Sequence, residues 1–217
     1  MVSHLFINCT NEKGENNMKL IYGTGNPAKL ESMRRALVGL NHEIIGLNEL
    51  TDAIPQAPED GLTPLENARR KALFYYNYFK TPVFSCDSGL YFDNLPSELQ
   101  PGVHVRNVNG KYLSDDEMID YYCNLARQYG HLKGRYQNAI CLVLDENHIY
   151  ESMNDDLSGN YFLIADKPHQ KRIKGFPLDS LSVHIPSGRY YYDMENDNVV
   201  EVEKGFYKFF EDILKHY

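Results

Sequence analysis

Three short stretches hold residue types that can handle a phosphate. The first is Thr24-Gly25-Asn26-Pro27-Ala28-Lys29, directly after the strand-like run Met18-Lys19-Leu20-Ile21-Tyr22. Asn26 suits a helix N-cap and Pro27 the first helical position. Free backbone N–H groups and the positive dipole end make such a start an anion site, and Lys29 adds a full charge within the first turn. The spacing GxxxxGK[ST] is absent, so this is not a Walker A loop. Taken alone, the stretch also reads as nothing more than a capped helix after a tight turn.

The second stretch is Glu59-Asp60-Gly61-Leu62-Thr63, leading into Glu66-Asn67-Ala68-Arg69-Arg70-Lys71-Ala72. Glu59 stands before a helix, where a carboxylate can hold a hard cation through oxygen. Lys71 lies about two turns into that helix, within reach of a phosphate. The plain alternative is a set of solvated charges. The third stretch, Cys86-Asp87-Ser88-Gly89-Leu90, puts an acid at the carboxyl end of an apolar strand and before a turn, the usual place for ligand chemistry in α/β sheets. Asp87 there can bind magnesium, take a proton from water, or simply form an Asx turn.

The elements that must position these groups follow from periodicity and caps. Leu30, Met33, Leu37 and Leu40 continue a helix from Asn26; Thr63-Pro64-Leu65-Glu66 opens a second as a capping box, with Leu65, Ala68, Ala72 and Phe79 on one face; Ser114 to Glu117 opens a third carrying Met118, Tyr122, Leu125 and Tyr129. A buried strand runs through Pro82 to Cys86. Ala139 to Leu144 and His148 to Met153 flank a hairpin-type loop at Asp145-Glu146-Asn147, and Asn160 to Ile164 adds a strand. Phe206, Phe209, Phe210, Ile213 and Leu214 form an apolar stripe on a last helix, read as core or dimer contact. This order predicts an α/β fold, a mixed sheet with helices packed on it. Residues 1–17 are polar after Ile7 and read as a leader, possible start at Met18; residues 18–217 read as a single domain.

Composition narrows the function classes. A net charge of -8 disfavours a surface that holds DNA or RNA by phosphate contacts, since that mode needs a basic face. Cys9, Cys86, Cys123 and Cys141 show no CxxC spacing and no disulfide framework, which points to a reducing cytoplasm. No apolar run reaches the ~18 residues of a membrane helix, so neither nucleic acid nor membrane is expected as a partner. The eight histidines lack metal-site spacing, Ser88 lacks a GxSxG elbow, and the 17 tyrosines are not interleaved with basic residues.

Together the three stretches resemble the inosine triphosphate pyrophosphatase (ITPase) family. Thr24 to Lys29 is similar to its T/S-G-N-x-x-K, Glu59 to Ala72 to its E-x-G-x-T-x-x-E-N-A-x-x-K-A, and Cys86 to Leu90 to its D-D-S-G-L. Pro101-Gly102-Val103 and a degraded G-F-G-Y-D at Gly175-Phe176-Pro177-Leu178-Asp179 follow in the same order. The resemblance implies an elongated ITPase-like α/β fold of two lobes around a central cleft, a homodimer, and Mg²⁺-dependent hydrolysis of a nucleoside triphosphate such as ITP, XTP or dITP to monophosphate and pyrophosphate. It implies that Thr24, Gly25, Asn26, Lys29, Lys71 and Ser88 hold the triphosphate, that Glu59 and Asp87 anchor Mg²⁺, that Asp87 with Lys29 is catalytic, and that Phe176 and Asp179 face the base.

The pattern is incomplete. Cys86 replaces the first Asp of the pair, Pro177-Leu178 replace Gly-Tyr, and the family's late lysine and Ser-His-Arg triplet have no counterpart in Val199-Val200-Glu201-Val202-Glu203-Lys204, where Lys204 takes the arginine's place. Arg106 stands one residue early against Tyr-Ser-Ala-Arg. Two further expectations therefore stand beside the first: a nucleotide-binding or regulatory protein without turnover, and a pyrophosphatase with shifted base specificity.

Overall fold

The computed structural model describes residues 9–10, 16–51, 53–130, 132–194 and 200–217. Among these the elements run β1 (Cys9–Thr10), β2 (Asn16–Asn17), β3 (Lys19–Tyr22), α1 (Pro27–Ala36), β4 (Glu43–Gly46), α2 (Pro64–Phe79), β5 (Val83–Phe92), β6 (Asn107–Val108), β7 (Lys111–Tyr112), α3 (Asp115–Tyr129), β8 (Leu132–Val143), β9 (Ile149–Ser152), β10 (Phe162–Ile164), β11 (Ser182–His184), β12 (Arg189–Tyr190) and α4 (Val200–Leu214). Of the expected leader, β1 and β2 pair antiparallel, and its remaining residues except these lie outside the described set. The chain forms two compact units, Met1–Asp87 with Asn138–Leu157 and Val200–Tyr217, and Ser88–Gln137 with Ser158–Val199. Strands β5 and β8 each give one half to either unit.

In the first unit β3 lies between β4 and β5 in parallel register, Leu20 opposite Ile44 and Ile21 opposite Val83. The second half of β8 follows β5 and pairs antiparallel with β9, Cys141 opposite Glu151. Alternation along the strands sends neighbouring side chains to opposite faces. Leu20, Tyr22, Phe84, Ile140 and Leu142 meet Met33 and Leu37 at α1 and Phe206, Phe210 and Leu214 of α4. Ile21 and Val83 meet Tyr75 of α2, while Ala139, Cys141 and Val143 meet Ala68 and Ala72 one turn apart on the same helix. Both alanines are fully buried, so α2 sits close on the sheet.

In the second unit β10 lies between β8 and β11, antiparallel to both, and β12 continues the order. Leu90, Phe92, Leu132 and Ile164 from its strands enclose a core with Met118 and Tyr122 of α3, Leu178 of a 3-10 turn and Leu181 just after it.

The expected mixed α/β architecture and all four helices are present. Asn26 caps α1 and Ser114 with Glu117 closes a full capping box on α3. Thr63 caps α2, but Glu66 reaches back to Leu62 N–H, one residue before the box would place it. Of the stripe on α4, Phe206, Phe210 and Leu214 are core, and Phe209 and Ile213 are half-buried beside them. β5 does not end at Asp87: it runs on to Phe92, so Asp87 is a mid-strand residue and not the head of a turn. β4 and the first half of β8 escape the sequence reading because Glu43–Gly46 is short and Lys133 to Asn138 is polar; both are held by strand pairing. Asn109 and Gly110, both at positive φ, turn the small β6–β7 hairpin. No helix among the described residues is long and apolar enough to cross a membrane.

Candidate active site

The first unit brings together residues from two of the three stretches around one ammonium. Lys71 is buried at 7% exposure, and its Nζ lies 3.0 Å from Glu59 Oε1 and 3.2 Å from Asp87 Oδ1. Burial by itself would lower the Lys71 pKa, but the carboxylates of Asp87 and Glu59 outweigh it, and the ammonium is held above the usual lysine range. Glu59 is mostly exposed, whereas Asp87 is largely buried. The two acids therefore face a single positive centre from the loop before α2 and from the middle of β5.

Asn67 completes the arrangement, and the sequence reading gave it no role. It lies one turn before Lys71 on α2, is 3% exposed, and donates Nδ2–H to Asp87 Oδ2 at 3.0 Å. Its Oδ1 accepts the Gly61 N–H at 2.8 Å. One amide thus fixes both the carboxylate of β5 and the loop that carries Glu59. A Cβ on Gly61 would stand 2.6 Å from that Oδ1, so only glycine leaves room. The available signal was the i, i+4 spacing of Asn67 and Lys71 on one helix face.

At the start of α1, Asn26 Oδ1 accepts from Ala28 N–H at 2.9 Å and Lys29 N–H at 3.4 Å, and Thr24 Oγ1 accepts from Asn26 N–H at 3.2 Å. The cap side chain thus occupies two of the N–H groups that an anion would use. Gly25, Asn26 and Lys29 are exposed, Thr24 is half-buried, and Lys29 pairs with no acid among the described residues. Ser85 Oγ donates to Gly23 O at 3.1 Å and ties this turn to β5.

Cys86 explains how a thiol stands beside Asp87 without joining it. Strand alternation sends Cys86 to the α1 and α4 face, where it packs beside the Tyr22 and Phe84 cluster, while Asp87 points to α2. Burial pushes the Cys86 thiol up to about 12, against the hydrogen bond from Tyr22 and the positive fields of Lys71 and Lys29. It is therefore a neutral thiol near pH 7 and no hard-metal ligand. Among the described residues no group of three or more His, Cys, Asp or Glu is placed to hold a metal.

Ser88, half-buried, begins the second unit. There Phe176 is 54% exposed at the head of the 3-10 turn Pro177–Ser180, and Asp179 is exposed on that turn. Pro177 and Leu178 are buried, so the residues that replace Gly-Tyr serve the core and offer no aromatic platform. Lys204 is an exposed residue of α4, and Val199 lies outside the described residues.

The sequence model of the Ham1 family matches residues 20–196. The chain belongs to the Ham1 family. A dITP/XTP pyrophosphatase of Thermus thermophilus is 29% identical over 182 residues, 82% of this chain and 81% of that protein. A dITP/XTP pyrophosphatase of Anaeromyxobacter sp. is 37% identical over 86 residues, which is 40% of this chain and 36% of that relative. The fold of this Ham1 chain is also that of a HAM1 protein from Coxiella burnetii, with a TM-score of 0.73 at 22% identity over 92% of this chain and 100% of the other. The family resemblance drawn from the three motifs is thereby borne out.

Proposed function

We propose that this Ham1 chain hydrolyses a deaminated purine nucleoside triphosphate, such as ITP, XTP or dITP, to the nucleoside monophosphate and pyrophosphate. The observation that carries the reading is the convergence of Glu59 and Asp87 on the buried Lys71 ammonium, at 3.0 and 3.2 Å. Relatives named dITP/XTP pyrophosphatase support the substrate class.

The two carboxylates offer only oxygen donors and already share one positive charge, which is donor chemistry that fits a hard divalent cation. Glu59 and Asp87 would hold Mg²⁺ through their carboxylate oxygens. When bound, Mg²⁺ supplies neutralisation of charge on the phosphoryl oxygens. Asp87 accepts a proton from the attacking water; the water oxygen bonds to the α-phosphorus as the bond to the bridging oxygen breaks, and that oxygen leaves with pyrophosphate. Lys71, Lys29 and the start of α1 at Thr24, Gly25 and Asn26 neutralise and position the triphosphate, Lys29 adding charge stabilisation as the anhydride breaks. Ser88 contacts a phosphate, and Phe176 and Asp179 face the base. Residues 18–217 act as the working domain, in a homodimer in a reducing cytoplasm.

The test is incubation of the purified protein with Mg²⁺ and a panel of ITP, XTP, dITP and the standard purine and pyrimidine triphosphates. Pyrophosphate from ITP and XTP in preference to ATP and GTP is expected. Pyrophosphate chiefly from other substrates would replace the substrate assignment. Nucleotide binding without pyrophosphate from any of them would overturn the reading.

A further inference from the structure

Asp115, the first residue of α3, makes two ties that its helix does not need. Ser114 and Glu117 already cap α3. Asp115 Oδ1 accepts from Arg106 Nη1 at 2.8 Å, and Oδ2 accepts the backbone N–H of Gly175 at 2.7 Å. Arg106 is locked in turn: Nη1 also donates to Leu113 O at 3.1 Å, Leu113 N–H returns to Arg106 O at 2.9 Å, and the guanidinium lies 5.7 Å from the centre of the Tyr112 ring.

The far end of the tie is the backbone just before an exposed aromatic ring. Gly175 adopts φ +86°, which a residue with a side chain rarely takes. Phe176 N–H then bonds to Ile173 O at 3.0 Å, and Asp179 N–H bonds to Phe176 O at 3.3 Å. Pro177 and Leu178 enter the core, so the turn is anchored behind Phe176 by burial and ahead of it by the Asp115 carboxylate. A ring left 54% exposed gains little from its own packing, and its backbone is held at both sides nonetheless. A charge-assisted hydrogen bond gives such a turn one geometry.

We infer that Asp115, braced by Arg106, is a positioning residue for substrate-base recognition, holding the Gly175 peptide so that Phe176 and Asp179 present one fixed face to the base. This rests on the function proposed above. It also gives Arg106 a role that its displaced place in the sequence pattern did not.

The test compares Asp115→Ala, Asp115→Asn, Phe176→Ala and the Asp115→Ala/Phe176→Ala pair, by steady-state kinetics on the best substrate and by hydrogen exchange of the Gly175 amide. Loss of the charge-assisted bond is expected to raise KM about tenfold in Asp115→Ala, with a much smaller change in kcat, and to speed Gly175 exchange. Asp115→Asn keeps one oxygen acceptor but loses the charge and the second acceptor, and recovers only part of both. The double variant is markedly less than additive, because both substitutions act on the turn that carries Phe176. Faster exchange with unchanged KM, or fully additive effects, would reduce Asp115 to a structural tie and overturn the inference; unchanged exchange would overturn it outright. Should Asp115→Ala fail to fold, Asp115→Asn, which loses the charge and one acceptor, carries the same comparison, and faster Gly175 exchange with an unchanged KM there is equally fatal. Absence of pyrophosphate from the wild-type protein is a failure of the functional reading; unchanged Gly175 exchange is a failure of the tie, so the two are told apart.

Discussion

Asp87 sits mid-strand at 18% side-chain exposure, where an uncompensated carboxylate would be costly; Asn67 and Lys71 each meet one of its oxygens. Asp87→Asn preserves shape but removes the proton acceptor and one of the two oxygens that accept from Asn67 and Lys71. Pyrophosphate release is expected to fall by about 10²–10⁴, a loss larger than the accompanying drop in thermal midpoint explains, and unchanged turnover would remove Asp87 from its role. Lys71 gives a pH-linked prediction. Its folded pKa is raised, so its pairing stabilises fully below the usual lysine pKa of about 10.4 and is lost as pH climbs through the higher folded value. Lys71→Met leaves two acids facing each other and is expected to cost at most about 3 kcal/mol at pH 8. Chemical denaturation at pH 8 and above about pH 10.4 should show the gap between wild type and variant narrowing at the higher pH.

At the scale of elements, α2 carries Asn67 and Lys71, and Gly61 sets how closely the Glu59 loop approaches that helix. Gly61→Ala would drive a methyl group into Asn67 Oδ1, releasing both the loop and Asp87. A loss of about 1–3 kcal/mol in urea unfolding is expected, together with a fall in turnover larger than the stability change explains. α4 packs on the sheet: Phe210 is fully buried and meets Phe84 edge-on at 4.9 Å. Phe210→Ala is expected to cost about 3–5 kcal/mol by calorimetry while leaving KM of the surviving folded fraction unchanged. The helices were legible in the sequence because Asn26, Thr63 and Ser114 mark their starts and apolar residues recur along one face. The reach of β5 past Asp87 was not legible, because an acid and a glycine inside a strand read locally as a turn.

For the whole molecule, a net charge of -8 opposes capture of a polyphosphate, so binding depends on local cations. Chelation with EDTA is therefore expected to abolish pyrophosphate release, and added Mg²⁺ to restore it; full activity in EDTA would refute the metal assignment to Glu59 and Asp87. Sedimentation equilibrium checks the proposed homodimer, and a chain starting at Met18 checks that residues 1–17 are dispensable for turnover.

The sequence by itself determined the starts of α1, α2 and α3, the mixed α/β class, the family and the identity of Glu59, Lys71 and Asp87 as candidates, because caps, periodicity and motif spacing act over a few residues. Tertiary structure decided what those residues meet. Asn67 links Gly61 to a carboxylate 20 positions further along the chain, Cys86 turns to the sheet face opposite Asp87, and Asp115 reaches an amide 60 residues away. Such contacts leave no periodic or local trace, since the chain must first pay the entropy of closing long loops before side chains so far apart can bond.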